Sequence, residues 1–166
     1  MNRNDPSNLP DRIYAAPADW VARGAGATML RRFLAEAGEN TIVLAPTGVA
    51  AMNAGGQTIH SFFKFPPRLI EQADIKRLRG VRLIKAVETM IIDEISMVRA
   101  DMLDAIDKSL QLNRGSKRPF GGVRMILSGE LHQLPPVARG AEAEILNERY
   151  GGHYFFNAPG FKNAEF

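Results

Sequence analysis

The octapeptide Thr89-Met90-Ile91-Ile92-Asp93-Glu94-Ile95-Ser96 decides how the rest of the chain is read, because an apolar run stops there on two adjacent carboxylates. Four apolar or β-branched residues in succession read as a strand buried on both faces, as in the middle of a parallel sheet. Such a strand delivers its last side chains to the carboxyl edge of the sheet, where open α/β folds place their ligands. Two neighbouring carboxylates at that edge are costly without a cation. Acidic residues also favour the first turn of a helix. On these eight residues alone, Asp93 and Glu94 suit the cap of a helix beginning at Ser96 equally well.

Outward from this stretch, strands and helices alternate. Thr41-Ile42-Val43-Leu44-Ala45 reads as a second buried strand, broken by Pro46, with Thr47 placed to cap a helix from Gly48. Val123 to Leu127 reads as another strand, stopping at Ser128-Gly129-Glu130, with Pro135-Pro136 forbidding regular structure just beyond. Residues 1–19 read as a loosely ordered lead-in to a single domain over 20–166. In that domain Trp20-Val21-Ala22 suits a short first strand, and Leu30, Phe33, Leu34 and Ala37 line one side of a helix stopped by Gly38. The pattern from Glu71 to Val87 is helical and basic, more suited to a solvated face than to a nucleic-acid track. Further helices are expected over Ala100 to Leu112 and Gly140 to Tyr150. The alternation predicts an α/β fold, a parallel sheet flanked by helices.

Three strands therefore end on polar residues at one edge: Pro46-Thr47-Gly48, Asp93-Glu94, and Gly129-Glu130-Leu131-His132-Gln133. Carboxylates there suit Mg²⁺ on a nucleoside triphosphate, one acid near the metal and the other orienting the attacking water. Bulk properties agree with a globular domain of this kind. The chain has 166 residues, 45% hydrophobic, with a net charge of +3 too small to demand a polyanionic partner. It has no cysteine, which excludes disulfides and thiolate chemistry, and no apolar run long enough to span a bilayer. A cytoplasmic setting is the simplest expectation, nucleoid-associated in a bacterium, with a nucleus or mitochondrion also compatible.

Ala45-Pro46-Thr47-Gly48-Val49-Ala50-Ala51 with Gly56-Gln57-Thr58-Ile59-His60-Ser61-Phe62-Phe63 resembles motif Ia and its extension in Pif-type DNA helicases, relatives of RecD in helicase superfamily one. Ile91 to Val98 resembles their motif II, and Pro119-Phe120-Gly121-Gly122 with Gly129 to Val137 resembles the loop and motif III that follow. Tyr154-Phe155-Phe156 is similar to the closing stretch of the same domain. The resemblance implies a RecA-like P-loop NTPase fold, one of two motor domains. It also implies ATP hydrolysis with Mg²⁺, coupled to 5′-to-3′ unwinding of DNA in replication, recombination or repair. By position, Asp93 would hold Mg²⁺ with Thr28, Glu94 would polarise the water, and Gln133 would sense the γ-phosphate. Gly24, Gly26, Thr28 and Glu130 would border the nucleotide. Pro46, Thr47, Gly48, His60 and Ser61 would lie along single-stranded DNA, a partner gripped through its backbone by a sequence-blind motor. His60 equally suits a buried histidine satisfied by backbone, and Phe62, Phe63 and Phe65 suit plain core.

The chain also departs from the pattern. A phosphate loop needs Gly-x-x-x-x-Gly-Lys-Ser/Thr, whereas Gly24-Ala25-Gly26-Ala27-Thr28 reads as shorter, and no lysine precedes Lys64. Losing a charge-assisted hydrogen bond to phosphate costs about 1.5–3 kcal/mol. No glutamine precedes Gln57 to read adenine, and Glu130 stands where the family has Asp. The motifs of a second RecA-like domain, with its arginine finger, do not occur before Phe166. The expectation is thus a truncated or inactive helicase copy with a degenerate Walker A loop, dependent on a second domain. The alternative is a non-catalytic module that binds single-stranded DNA or a protein partner. A GTPase is a weaker third reading, unsupported by any base-specificity motif.

Overall fold

A computed structural model describes residues 13–15, 38–130 and 134–165 of the chain. In chain order its strands are β1 (Ile13–Ala15), β2 (Thr41–Ala45), β3 (Gln57–Thr58), β4 (Thr89–Ile92), β5 (Arg124–Leu127) and β6 (Ala164–Glu165). The helices are α1 (Gly48–Asn53), α2 (Ile59–Phe63), α3 (Val81–Ala86), α4 (Ala100–Arg114) and α5 (Ala141–Tyr150). All strand pairs are parallel, in the order β3-β2-β4-β5-β1-β6.

The centre of the sheet forms because β2, β4 and β5 are apolar on both faces. Every residue of β4 is buried. The register sets Val43, Ile91 and Ile126 in one row and Leu44, Ile92 and Leu127 in the next. Alternation of side chains along a strand sends these rows to opposite faces. The second row, with Met90 and Met125, joins the main core against Ile59 and Phe63 of α2, Ile84 of α3, and Leu103, Ile106 and Leu110 of α4. The first row packs with Ala54 on the other face. Phe63 and Phe65 are stacked core residues, as expected, and Phe62 is half-buried, edge-on to Phe63.

Two elements differ from the sequence reading. The strand Ile13–Ala15 lies within the stretch read as a lead-in, paired with β5 and β6. Three residues are too few to show a period, so only the pairing reveals it. The expected strand at Trp20 and helix through Leu30 lie outside the described residues. The expected long helix over 71–87 is instead a single turn, Gln72–Asp74, an extended run, and the short α3. Asp74 turns back to accept from the Glu71 N–H and from both terminal nitrogens of Arg68. Asn113 of α4 then accepts from the Leu78 N–H and donates to the Lys76 carbonyl, holding the run extended. Gly80, at φ +88°, adopts the left-handed conformation that restarts the chain into α3.

Candidate functional site

The tips of β2, β4 and β5 are locked together past the ends of the strands. The Asp93 N–H donates to the Leu44 carbonyl at 2.9 Å, the Ser128 N–H to Ile92 at 2.8 Å, and the Ile95 N–H to Ser128 at 2.9 Å. Gly129 completes this join by close approach: a Cβ there would stand 2.9 Å from the Ile95 nitrogen and 3.0 Å from its Cγ2. The turn after β4 and the turn after β5 are therefore packed as one unit.

Within it, Glu94 has φ 53° and ψ 43°, a left-handed backbone uncommon for any residue but glycine. It stands at the cap position of the turn Ile95–Met97 yet makes no capping hydrogen bond, and α4 begins only at Ala100. The helix-cap reading of the two acids is thereby removed. Both side chains are half-buried, and neither has a hydrogen-bond or ion-pair partner among the described residues. Burial raises the Glu94 pKa above the ordinary carboxyl value, and the negative charges of Asp93 and Glu130 raise it further. The buried Ser96 hydroxyl, on the same turn, also lacks a partner among the described residues. Mutually repelling carboxylates, all oxygen donors, fit a hard cation such as Mg²⁺, which binds through one or two carboxylates and keeps its waters. Among the described residues there is no closed cluster of three or more His, Asp or Glu that could itself hold a metal.

Beside this edge lies a cavity of about 240 Å³ lined by Pro46, Thr47, His60, Arg68, Arg99 and Pro135, with Met97, Met102, Pro67 and Val137. It joins the motifs after β2, β3 and β5. Thr47 caps α1, its hydroxyl accepting from the Ala50 N–H at 3.2 Å. His60 is half-buried and has no hydrogen-bond partner among the described residues, so it is not the backbone-satisfied core histidine that the sequence also allowed. Burial lowers its pKa, and the Arg99 guanidinium lowers it further, partly opposed by Asp101. A neutral imidazole at pH 7 follows. Gly48 is exposed at the start of α1. Ser61 is exposed as well but lines a different depression. Gly24, Gly26, Thr28 and Gln133 lie outside the described residues.

Arg68 and Arg99 are not legible as site residues in the sequence. Arg99 is held by two 2.9 Å hydrogen bonds to Asp101, by Glu142 at 3.5 Å, and by the Arg68 carbonyl at 3.1 Å. The only signal for it in sequence is an arginine directly before the helix that starts at Ala100.

A family model described as PIF1-like helicase matches residues 24–151. The ATP-dependent DNA helicase PIF1 of Danio rerio is 39% identical over 108 residues, covering 63% of this chain and 17% of that protein. The corresponding protein of Rattus norvegicus is 38% identical over 106 residues, covering 61% and 17%. A Bacteroides Pif1 helicase solved in complex with ADP-AlF3 and ssDNA superposes with a TM-score of 0.78 at 44% identity, covering 93% of this chain and 36% of that one. The chain thus spans less than a fifth of the length of these curated relatives.

Proposed function

The chain belongs to the PIF1-like helicase family, as its first RecA-like domain, and from that premise we propose that it is half of a motor coupling ATP hydrolysis to 5′-to-3′ unwinding of DNA. The observation that carries this reading is the Asp93–Glu94 pair, unsatisfied among the described residues and repelled further by Glu130, at the carboxyl edge of the sheet. Carboxylates left unpaired at a half-buried site favour a ligand that brings positive charge. Bound Mg²⁺ would neutralise the charge on the β- and γ-phosphates. Asp93 would supply an oxygen ligand to it. Glu94, with its raised proton affinity, orients the hydrolytic water and takes its proton. By family position Glu130 and Gln133 would border the γ-phosphate, and Gly24, Gly26 and Thr28 the rest of the nucleotide. Pro46, Thr47 and His60 hold the single strand in their shared cavity, with Gly48 and Ser61 on its approaches. No described helix is long and apolar enough to cross a membrane.

Laid on Gly26 and Thr28, the phosphate-loop spacing puts Val21 at its first glycine and Ala27 at its lysine. On this spacing the loop lacks both its first glycine and its lysine. The missing lysine supports a second reading, a module that binds single-stranded DNA without turning over ATP.

Calorimetry with Mg-ATP and with oligothymidylate tests both. The chain should bind oligonucleotide in a salt-sensitive manner and ATP weakly, and Ala27→Lys should tighten ATP binding by about 10- to 100-fold. If Ala27→Lys leaves ATP binding unchanged while DNA binding persists, the non-catalytic module is correct. Absence of oligonucleotide binding at low salt would defeat both readings.

A further inference from the structure

A larger groove, of about 680 Å³, is lined by residues of α2 other than His60, by the extended run after residue 74, and by α3. Four cations line it: Lys64, Lys76, Arg77 and Arg79. All four are exposed, and none forms an ion pair among the described residues. Among the described residues the one acid lining it, Asp74, is already engaged by Arg68 at 2.7 Å. Its apolar side is offered by the half-buried Phe62 ring and by Leu83, which is 55% exposed. Lys64 ends α2 in a left-handed conformation, at φ 60°, where helices usually place glycine. Strained positions of that kind cluster at ligand sites.

Unpaired cations and exposed apolar surface lining one groove match a single nucleic-acid strand, which offers both phosphates and flat bases. An acidic peptide would satisfy the cations but leave Phe62 and Leu83 without a matching face. The two depressions are also joined through α2, since His60 lines the smaller and the adjacent Ser61 lines the larger. We propose that the Lys64–Arg79 groove is a second phosphate-backbone track, which takes single-stranded nucleic acid onward from the His60 cavity around α2. The inference rests on the DNA-binding reading above and extends it to a longer footprint.

Fluorescence anisotropy with labelled oligothymidylates of about 6 and about 16 nucleotides, sizes within the range of such sites, tests the track across a salt series with the whole 166-residue chain. The triple variant Lys76→Ala, Arg77→Ala, Arg79→Ala should bind the long oligonucleotide at least 10-fold more weakly. Its slope of log affinity against log salt should fall by about 2, since each phosphate of a single strand that is no longer neutralised lowers the slope by about 0.7. The short oligonucleotide should bind as before. Arg82→Ala with Lys85→Ala removes two exposed cations that do not line the groove and should leave both affinities nearly unchanged. Arg77→Ala alone should lower the slope by about 0.7, giving a readout should the triple variant fold poorly. An unaltered slope for the long oligonucleotide overturns the track while the His60 cavity stands. So does an equal loss in both multiple variants, or competition by a polyglutamate peptide with no effect of oligonucleotide length. A duplex binding better than the single strand overturns the choice of occupant. If the unmodified chain binds neither oligonucleotide, the DNA-binding reading falls as well.

Discussion

Two sets of carboxylates lie close in sequence and behave in opposite ways. Asp101, Asp104 and Asp107 of α4 are the more deeply buried, yet each is satisfied by hydrogen-bond partners. Asp101 accepts from the Ile70 N–H and takes the Arg99 fork, Asp104 accepts from Lys108 and the Tyr150 hydroxyl, and Asp107 accepts from the Phe120 N–H and Gln111. Asp93 and Glu94 are less buried and have no such partners among the described residues. Burial alone therefore does not mark a functional acid. A buried carboxylate with its lone pairs filled ties the fold together, whereas a half-buried one left unsatisfied costs stability and is poised for a ligand. The same contrast separates the two ends of the sheet. At the amino end Glu39 is closed by Arg124 at 2.6 Å and the Thr89 hydroxyl at 2.7 Å, while the carboxyl end keeps Asp93 and Glu94 open.

The largest effect that tests this contrast is on the structural set. Asp101→Ala strands the Ile70 N–H and the Arg99 guanidinium in a buried site, and should cost about 3–5 kcal/mol by urea unfolding. A loss under about 1 kcal/mol, the scale of an exposed pair, would show that α4 does not depend on these hydrogen bonds. Next is the join between the two turns. Gly129→Ala forces a methyl group against the Ile95 backbone, which should cost about 1–3 kcal/mol and displace Glu94. Unchanged stability and nucleotide binding together would mean that the turns are not rigidly coupled.

The smallest effect has the opposite sign. A carboxyl whose pKa is raised by folding destabilises the folded state above that pKa, and the penalty disappears below the carboxyl's value in the unfolded chain. Glu94→Gln should therefore raise stability at pH 7 by only a few tenths of a kcal/mol, since the group is only half-buried and solvent screens its repulsions. The gain should vanish towards about pH 4, the ordinary carboxyl range, and any ATP turnover should be lost. Thermal unfolding of both forms at the two pH values measures it. Destabilisation by Glu94→Gln at pH 7 would put Glu94 with the structural acids instead.

Residues that fill one role along a continuous pattern are legible without coordinates. Thr41–Ala45 and Thr89–Ile92 are unbroken apolar runs bounded by Pro46 and by Asp93, and the structure has strands over the same residues. Thr47 caps a helix as a threonine after a strand break should. The polar ends of three strands at one edge follow from parallel alternation. The run from 71 to 87 misleads because its apolar residues suit a helix locally, while Asp74, Asn113 and Gly80 impose the bends through interactions that no local pattern carries.

From the sequence alone come the buried parallel strands, the two acids at the end of one of them, and the missing loop lysine, because periodicity and residue chemistry are local properties of the chain. Tertiary structure decides which acids are satisfied and which are open, which arginines border the His60 cavity, and that the basic run lines a groove instead of forming one long helix. Those outcomes depend on hydrogen bonds and packing between residues tens of positions apart, which only the folded chain brings within reach.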